Sequence, residues 1–244
     1  MKRPLPRLCK FHKSPDCNLA LGYTFELRWD VRDLWLASGS SCLHVGSLGV
    51  VLAPGGERVR QLAEEVSGRP GVAVSYDPNI RPSVTPDRAQ ARAIAERMAG
   101  LAHIVKLSDE DLAFLYPGLT PGQLAARWLG QAPAATRLLV VTRGAGGALL
   151  AAPGWCGEAA PVAVPVTDTV GAGDAFMAAL LAGLAEAGLL APEALARGAA
   201  CRPDALHRIA GQAMAAAALT CTRPGADPPS ARELRGFLAA RELA

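Results

Sequence analysis

Seven consecutive residues, Asp168-Thr169-Val170-Gly171-Ala172-Gly173-Asp174, limit what this chain can fold into more than any other stretch. They place two glycines and two carboxylates between a valine-alternating run (161–167) and an alanine- and leucine-rich run that starts at Ala175. Alternation predicts a strand for the first run, and the second run predicts a helix. A glycine turn at a helix start leaves backbone N–H groups without intrahelical partners. Those groups converge on one point and attract anions there.

The rest of the chain reads as strands alternating with helices. Strands are predicted at 23–29, 42–48, 72–76, 102–107, 137–142 and 148–152, the last returning as a hairpin at 162–166. Helices are predicted at 57–66, 86–98 with Thr85 as N-cap, 109–115 capped by Ser108, 121–130, 173–187, 203–219 and 230–243. This order predicts an α/β fold with a mostly parallel sheet, whose ligands sit beyond the carboxyl ends of the strands. The unusual polar residues cluster in loops of that kind: Gly46-Ser47, Asp77 to Arg81, Lys106 to Asp109, Thr142 to Gly144, and the opening turn.

Composition narrows the class. The 244 residues suffice for one large domain, and half are hydrophobic. A net charge of +3, with no basic cluster interleaved with aromatics, argues against nucleic acid as partner. No apolar run reaches membrane-spanning length. The six cysteines form no CxxC pair, which fits reduced thiols and a cytoplasmic setting. Residues 1–22 are basic and proline-containing, lack a secretory apolar core, and are expected to be a disordered tail.

Each loop has a chemical and a plain reading. Asp174, in a first helical turn, can take a proton from an attacking hydroxyl while the N–H groups around Ala172, Gly173 and Asp174 stabilise transferred charge. That combination predicts phosphoryl transfer; the plain reading is an ordinary capping aspartate. Arg81 can clamp a phosphate or a substrate oxygen, or lie in solvent beyond a turn capped by Asp77 and Asn79. Asp111 can help hold a hydrated Mg²⁺, or complete a helix cap. Thr142, Gly144 and Gly147 can let backbone approach a nucleotide phosphate, or form a glycine-rich turn. Lys106 is a candidate nucleotide contact, although a lone lysine at a strand end usually snorkels to solvent. His44 and His103 are expected to be satisfied core histidines. There is no GxxxxGK[ST] loop and no early GxGxxG, which argues against P-loop proteins and dinucleotide-dependent dehydrogenases.

These residues together resemble the PfkB (ribokinase-like) carbohydrate kinases. The 168–174 stretch is similar to that family's DTxGAGD signature. Segments 75–81, 106–112, 141–144 and 221–226 follow in the family's order, and the combination looks most like bacterial fructokinases. The resemblance implies a three-layer sandwich with a mostly parallel central sheet. It implies Asp174 as base, Gly171 to Gly173 as anion hole, and ATP along Thr142, Gly144 and Ala226. Arg81 would then lie near the sugar or the transferred phosphate. It also implies Mg²⁺ and a monovalent cation such as K⁺, a sugar as acceptor, and a homodimer as a candidate assembly. The family's NxxE motif falls on Ser108 and Asp111, which differ from the pattern. Its first strand, its Gly-Gly signature and most of its β lid find no match. The expectation is a fold incomplete at the N-terminus: 23–41 as a lid remnant and 42–244 as the catalytic core. The activity expected is transfer of phosphate from ATP to a sugar hydroxyl, with fructose as the leading acceptor and 2-keto-3-deoxygluconate or ribose as alternatives. A nucleotide-binding remnant without transfer activity is the competing reading.

Overall fold

The computed structural model describes residues 39–130, 135–198 and 202–242, and the backbone of two strands, β1 (Cys9–Lys13) and β2 (Tyr23–Leu27). These two pair antiparallel, with Phe11 opposite Phe25 and Lys10 opposite Glu26 in register. β1 lies inside the segment expected to be a disordered tail and differs from that expectation. Pairing gives the N–H and C=O groups of both strands protein partners.

The main sheet has six strands in sequential order: β3 (Cys42–Gly46), β4 (Ala73–Asp77), β5 (Ile104–Ser108), β6 (Leu138–Thr142), β7 (Ala148–Ala152) and β8 (Trp155–Ala159). β3 to β6 are parallel, and β7 and β8 are added antiparallel. Each parallel step is bridged by helix, as a crossover requires. Helices α1 (Leu48–Val51) and α2 (Gly55–Ser67) link β3 to β4, and α3 (Arg88–Leu101) links β4 to β5. Helices α4 (Asp109–Leu115) and α5 (Pro121–Gly130) precede β6. After the hairpin come α6 (Ala172–Glu186), α7 (Pro192–Gly198), α8 (Pro203–Cys221) and α9 (Ala231–Glu242).

The alternation of side chains along each strand divides the core in two. Leu43, Val45, Val74, Tyr76, Val105, Leu107, Leu139 and Val141 face α1 to α5. Ala73, Ile104, Leu138 and Val140 face Phe176, Met177 and Leu180 of α6 and Leu206 and Ile209 of α8. The result is the expected three-layer α/β sandwich. Each fully buried Leu, Val or Phe in these layers stabilises the fold by about 1.5–3 kcal/mol.

Three local expectations are corrected. The strand predicted at 161–167, and with it the hairpin return at 162–166, is absent. The chain returns instead at β8, turning through Gly154 at φ 76°. Pro161 and Pro165 have no N–H to give a ladder, and Val166 is 64% exposed. The cap of α3 is Asp87 rather than Thr85: its Oδ1 accepts the N–H groups of Ala89 at 2.8 Å and Gln90 at 3.2 Å. The short helices α1 and α7 were not predicted, because neither is long enough to display a helical period.

His103, just ahead of β5, is 6% exposed, and its Nδ1 accepts the Val74 N–H at 3.0 Å. Only an unprotonated Nδ1 can accept. Burial first, and Arg137 nearby second, hold this imidazole below the usual histidine range. Its stabilising contribution is therefore complete above the unfolded value of about 6.5 and is lost as the pH falls through the lower folded value. The melting temperature is expected to drop from about pH 7.5 to about pH 5.5, and His103→Gln, which keeps an acceptor but cannot titrate, should flatten that slope. His103→Leu leaves the Val74 N–H without a partner and should cost about 1–3 kcal/mol at neutral pH by denaturant unfolding.

Candidate active site

The sheet face that packs against α6 is apolar at its base and polar near the carboxyl ends of its strands. His44 accompanies Ser75 across β3 and β4, its Nδ1 lying 2.8 Å from the Ser75 Oγ. One step up, Asp77 of β4 lies beside Lys106 of β5, and the Lys106 ammonium donates to Asp77 Oδ2 at 2.9 Å. Both side chains are only 5% exposed. Lys106 therefore does not snorkel to solvent, as a lone strand-end lysine was expected to. Burial pushes the Asp77 carboxyl up and the Lys106 charge opposes this. His44 is exposed rather than core, and Asp174 and Lys106 both lie within its electrostatic reach.

The start of α6 sits over this pair. Gly171 is its N-cap, in a left-handed conformation at φ 80°. The N–H of Ala172 turns inward to Thr169 O at 3.2 Å, and that of Ala175 reaches Gly171 O at 2.9 Å. Between them, the N–H groups of Gly173 and Asp174 have no acceptor among the described residues, as a first helical turn dictates. The exposed Asp174 side chain stands in that same turn. A Cβ on Gly173 would lie 2.9 Å from the Lys106 Nζ, so the missing side chain is what lets a buried ammonium approach the helix start.

The opening turn is also fastened to the loop after α8. Asp168 accepts Val170 N–H at 3.1 Å through Oδ1 and Gly225 N–H at 2.8 Å through Oδ2. The Val170 and Gly225 donors hold its carboxyl below the usual range. A Cβ on Gly171 would lie 2.9 Å from the Ala226 Cβ, so turn and loop are in contact. The structure thus brings Gly171, Ala172, Gly173, Asp174, Lys106 and Ala226 together.

Thr142, Gly144 and Gly147 lie in a separate loop at the same end of the sheet. Thr142 Oγ1 donates to Leu107 O at 3.4 Å, and Arg143 N–H to Gly147 O at 2.8 Å closes the loop. Gly144 and Gly147 have φ of 52° and 80°. The glycine at 147 also has a packing reason, since a Cβ there would run into Ala159 O. Arg143 Nε, in this loop, is a buried polar atom without a partner among the described residues. The same guanidinium is engaged elsewhere, its Nη1 donating to Glu158 Oε1 at 3.2 Å.

Arg81 is exposed and bends back, its Nη1 donating to Ile80 O at 3.2 Å and Asn79 O at 3.4 Å. Asp111 is buried with both oxygens engaged: Oδ1 accepts Ile80 N–H at 2.7 Å and Oδ2 accepts Ser108 N–H at 2.9 Å. With Ser108 Oγ accepting Asp111 N–H at 3.0 Å, this is a complete capping box. Among the described residues no group of three or more acids, histidines or cysteines is arranged to hold a metal. The described residues therefore form no protein cage for Mg²⁺. A hollow of about 430 Å³ lined by Ser67, His103, Arg137 and Glu193 opens at the opposite end of the sheet, away from this cluster.

Two features escaped the sequence reading: Asp77 as the partner of Lys106, and Asp168 as the link to Gly225. The signal for the first was present. Asp77 ends β4, and Lys106 interrupts the apolar run of β5. The glycines allow a direct check. Gly171→Ala forces a side chain into positive φ and against Ala226, and should cost about 1–3 kcal/mol. In a chain of this size that lowers the melting temperature by about 2–4 °C per kcal/mol. Gly173→Ala gains about 1 kcal/mol of helix propensity against the displacement of Lys106, so its melt should move far less.

Residues 40–232 match the model of the pfkB family carbohydrate kinases. A fructokinase of Rhizobium leguminosarum bv. trifolii is 39% identical over 154 residues, which are 60% of this chain and 44% of that protein. A Vibrio cholerae O395 fructokinase, solved with fructose, ADP and calcium ion, superposes with a TM-score of 0.64 at 29% identity, covering 97% of this chain and 75% of that one. A Salmonella enterica aminoimidazole riboside kinase, solved with aminoimidazole riboside and an ATP analog, gives 0.64 at 27% identity, covering 81% and 62%. The chain thus matches less than half the length of the first of these relatives. Among the described residues no helix is long and apolar enough to cross a membrane. By a match over most of its length, the chain belongs to the pfkB family of carbohydrate kinases.

Proposed function

We propose that this chain carries the nucleotide-binding and catalytic part of an ATP-dependent sugar kinase, with fructose as the leading acceptor. The observation that supports this most is the first turn of α6, where an exposed carboxylate, Asp174, stands beside two unpaired N–H groups. An acceptor hydroxyl oxygen forms a bond to the γ-phosphorus of ATP. The bond from that phosphorus to the β–γ bridging oxygen breaks, and ADP leaves with the electron pair. Asp174 takes the hydroxyl proton. The Gly173 and Asp174 N–H groups, backed by the Lys106 ammonium, stabilise charge on the moving phosphoryl group.

Ala226, packed against Gly171, forms the adenine side of the proposed site, Thr142, Gly144 and Gly147 its phosphate loop, and Arg81 a sugar or phosphate contact once it releases its own carbonyls. Magnesium carried on the nucleotide would supply charge neutralisation, and Asp111 is the residue proposed to reach it through water. The free thiols Cys42, Cys156 and Cys221 fit the cytoplasmic setting proposed. Fructose leads because the Rhizobium and Vibrio relatives carry that name; 2-keto-3-deoxygluconate and ribose stay as alternatives.

A coupled ADP-release assay with ATP and a sugar panel tests the reading. Turnover is expected with fructose, and Asp174→Asn should reduce it by about 10²–10⁴ while leaving ATP affinity nearly unchanged. An Asp174→Asn variant that keeps full turnover would remove the base assignment. ATP binding without phosphorylation of any sugar would favour a nucleotide-binding protein without transfer activity.

A further inference from the structure

Asp77 has no role in the reaction just described, yet it joins three segments at this end of the sheet. Its Oδ2 holds the Lys106 ammonium at 2.9 Å, and Lys106 backs the helix start at Gly173. Its Oδ1 accepts the Asn79 N–H at 3.2 Å, and its main-chain oxygen accepts the Ser47 N–H at 3.0 Å. Ser47 Oγ in turn donates to Asn79 O at 3.2 Å. We propose that Asp77 is a positioning residue that couples the phosphoryl end of the site, through Lys106, to the acceptor end, through the paired turns at Ser47 and Asn79. The proposal rests on the kinase reading above.

Two observations support a role beyond stability. Ser47 and Asn79 are the two non-glycine residues with positive φ among those described, at 48° and 40°. Backbone of that kind persists only where its surroundings hold it, and it concentrates at functional sites. Here the Asn79 turn is held by the Asp77 carboxylate and the Ser47 turn by the Asp77 main-chain oxygen, and Arg81 follows two residues later. The ion pair itself is the second. At 5% exposure on both sides, each charge has lost its water, and a well-packed apolar pair would serve the fold equally well or better. This ammonium also lies behind the positive end of a helix dipole, with Asp77 as its counter-ion. An anion above Gly173 draws on the same ammonium that Asp77 holds. Any shift of Lys106 is then felt at the Asn79 N–H on the other oxygen.

The test uses the full chain with Asp77→Asn, Lys106→Met and the double variant. Each single variant leaves one buried charge unpaired and should melt below the wild type. The double variant removes both charges and should recover its melting temperature while kcat stays reduced about 10²-fold or more, the scale of losing one preorganised donor. A double variant that regains kcat along with stability would show a purely structural pair and overturn the proposal. Hydrogen exchange at the amides of 79–81, recorded with and without saturating ATP, gives a readout that needs no turnover. Protection gained on ATP addition in the wild type and lost in the double variant supports the coupling. An absence of any ATP-dependent change there in the wild type overturns it. If the wild type shows that protection but phosphorylates no sugar, the kinase reading fails and the coupling stands.

Discussion

A carboxylate and an ammonium buried together in the apolar layer of a sheet impose conditions on everything around them. Neither charge can be left alone, because an unpaired one would cost far more than a lost hydrogen bond. The Asp77–Lys106 pair therefore requires β4 and β5 to keep their register. A glycine where α6 passes over it leaves room for the ammonium, and the following turn supplies a donor for the remaining carboxylate oxygen. Three segments far apart in sequence are held to one arrangement by this requirement. The free N–H groups at the start of α6 are aimed by it.

Parallel strands supply the stage. With β3 to β6 running the same way, their carboxyl ends and the helix starts that follow them collect on one edge. The chemistry-bearing loops come from five places in the sequence and meet there without any special long-range design. The antiparallel β7–β8 hairpin extends the sheet on the side of the 143–147 loop, where Gly147 packs on β8.

Much of this was legible in the order of residues. Strand and helix periods located most of the elements, and the glycine-carboxylate turn of 168–174 marked the start of α6, because both depend on local backbone preference. What was missed depends on neighbours that sequence distance hides. Pro161 and Pro165 were read through the valines around them, and the hairpin was given the wrong return strand. Lys106 looked like a strand-end lysine because its partner lies 29 residues away on the adjacent strand. Asp111 looked like a metal ligand or a cap. The second of those readings needs no ion, and the structure satisfies both its oxygens with N–H groups. Asp168 was read as part of a motif, and its bond to Gly225 spans 57 residues.

That last bond joins two jobs that are usually thought of separately. With one oxygen on Val170 and the other on Gly225, Asp168 makes the wall proposed for the base of the nucleotide and the turn that starts α6 into one mechanical piece. Residues 222–226 then cannot be varied for nucleotide preference alone. Any remodelling of that loop is transmitted to the aim of the N–H groups at Gly173 and Asp174. Selection for a new phosphate donor would thus act on rate and on donor choice at once, and compensating changes would be expected in the glycine turn.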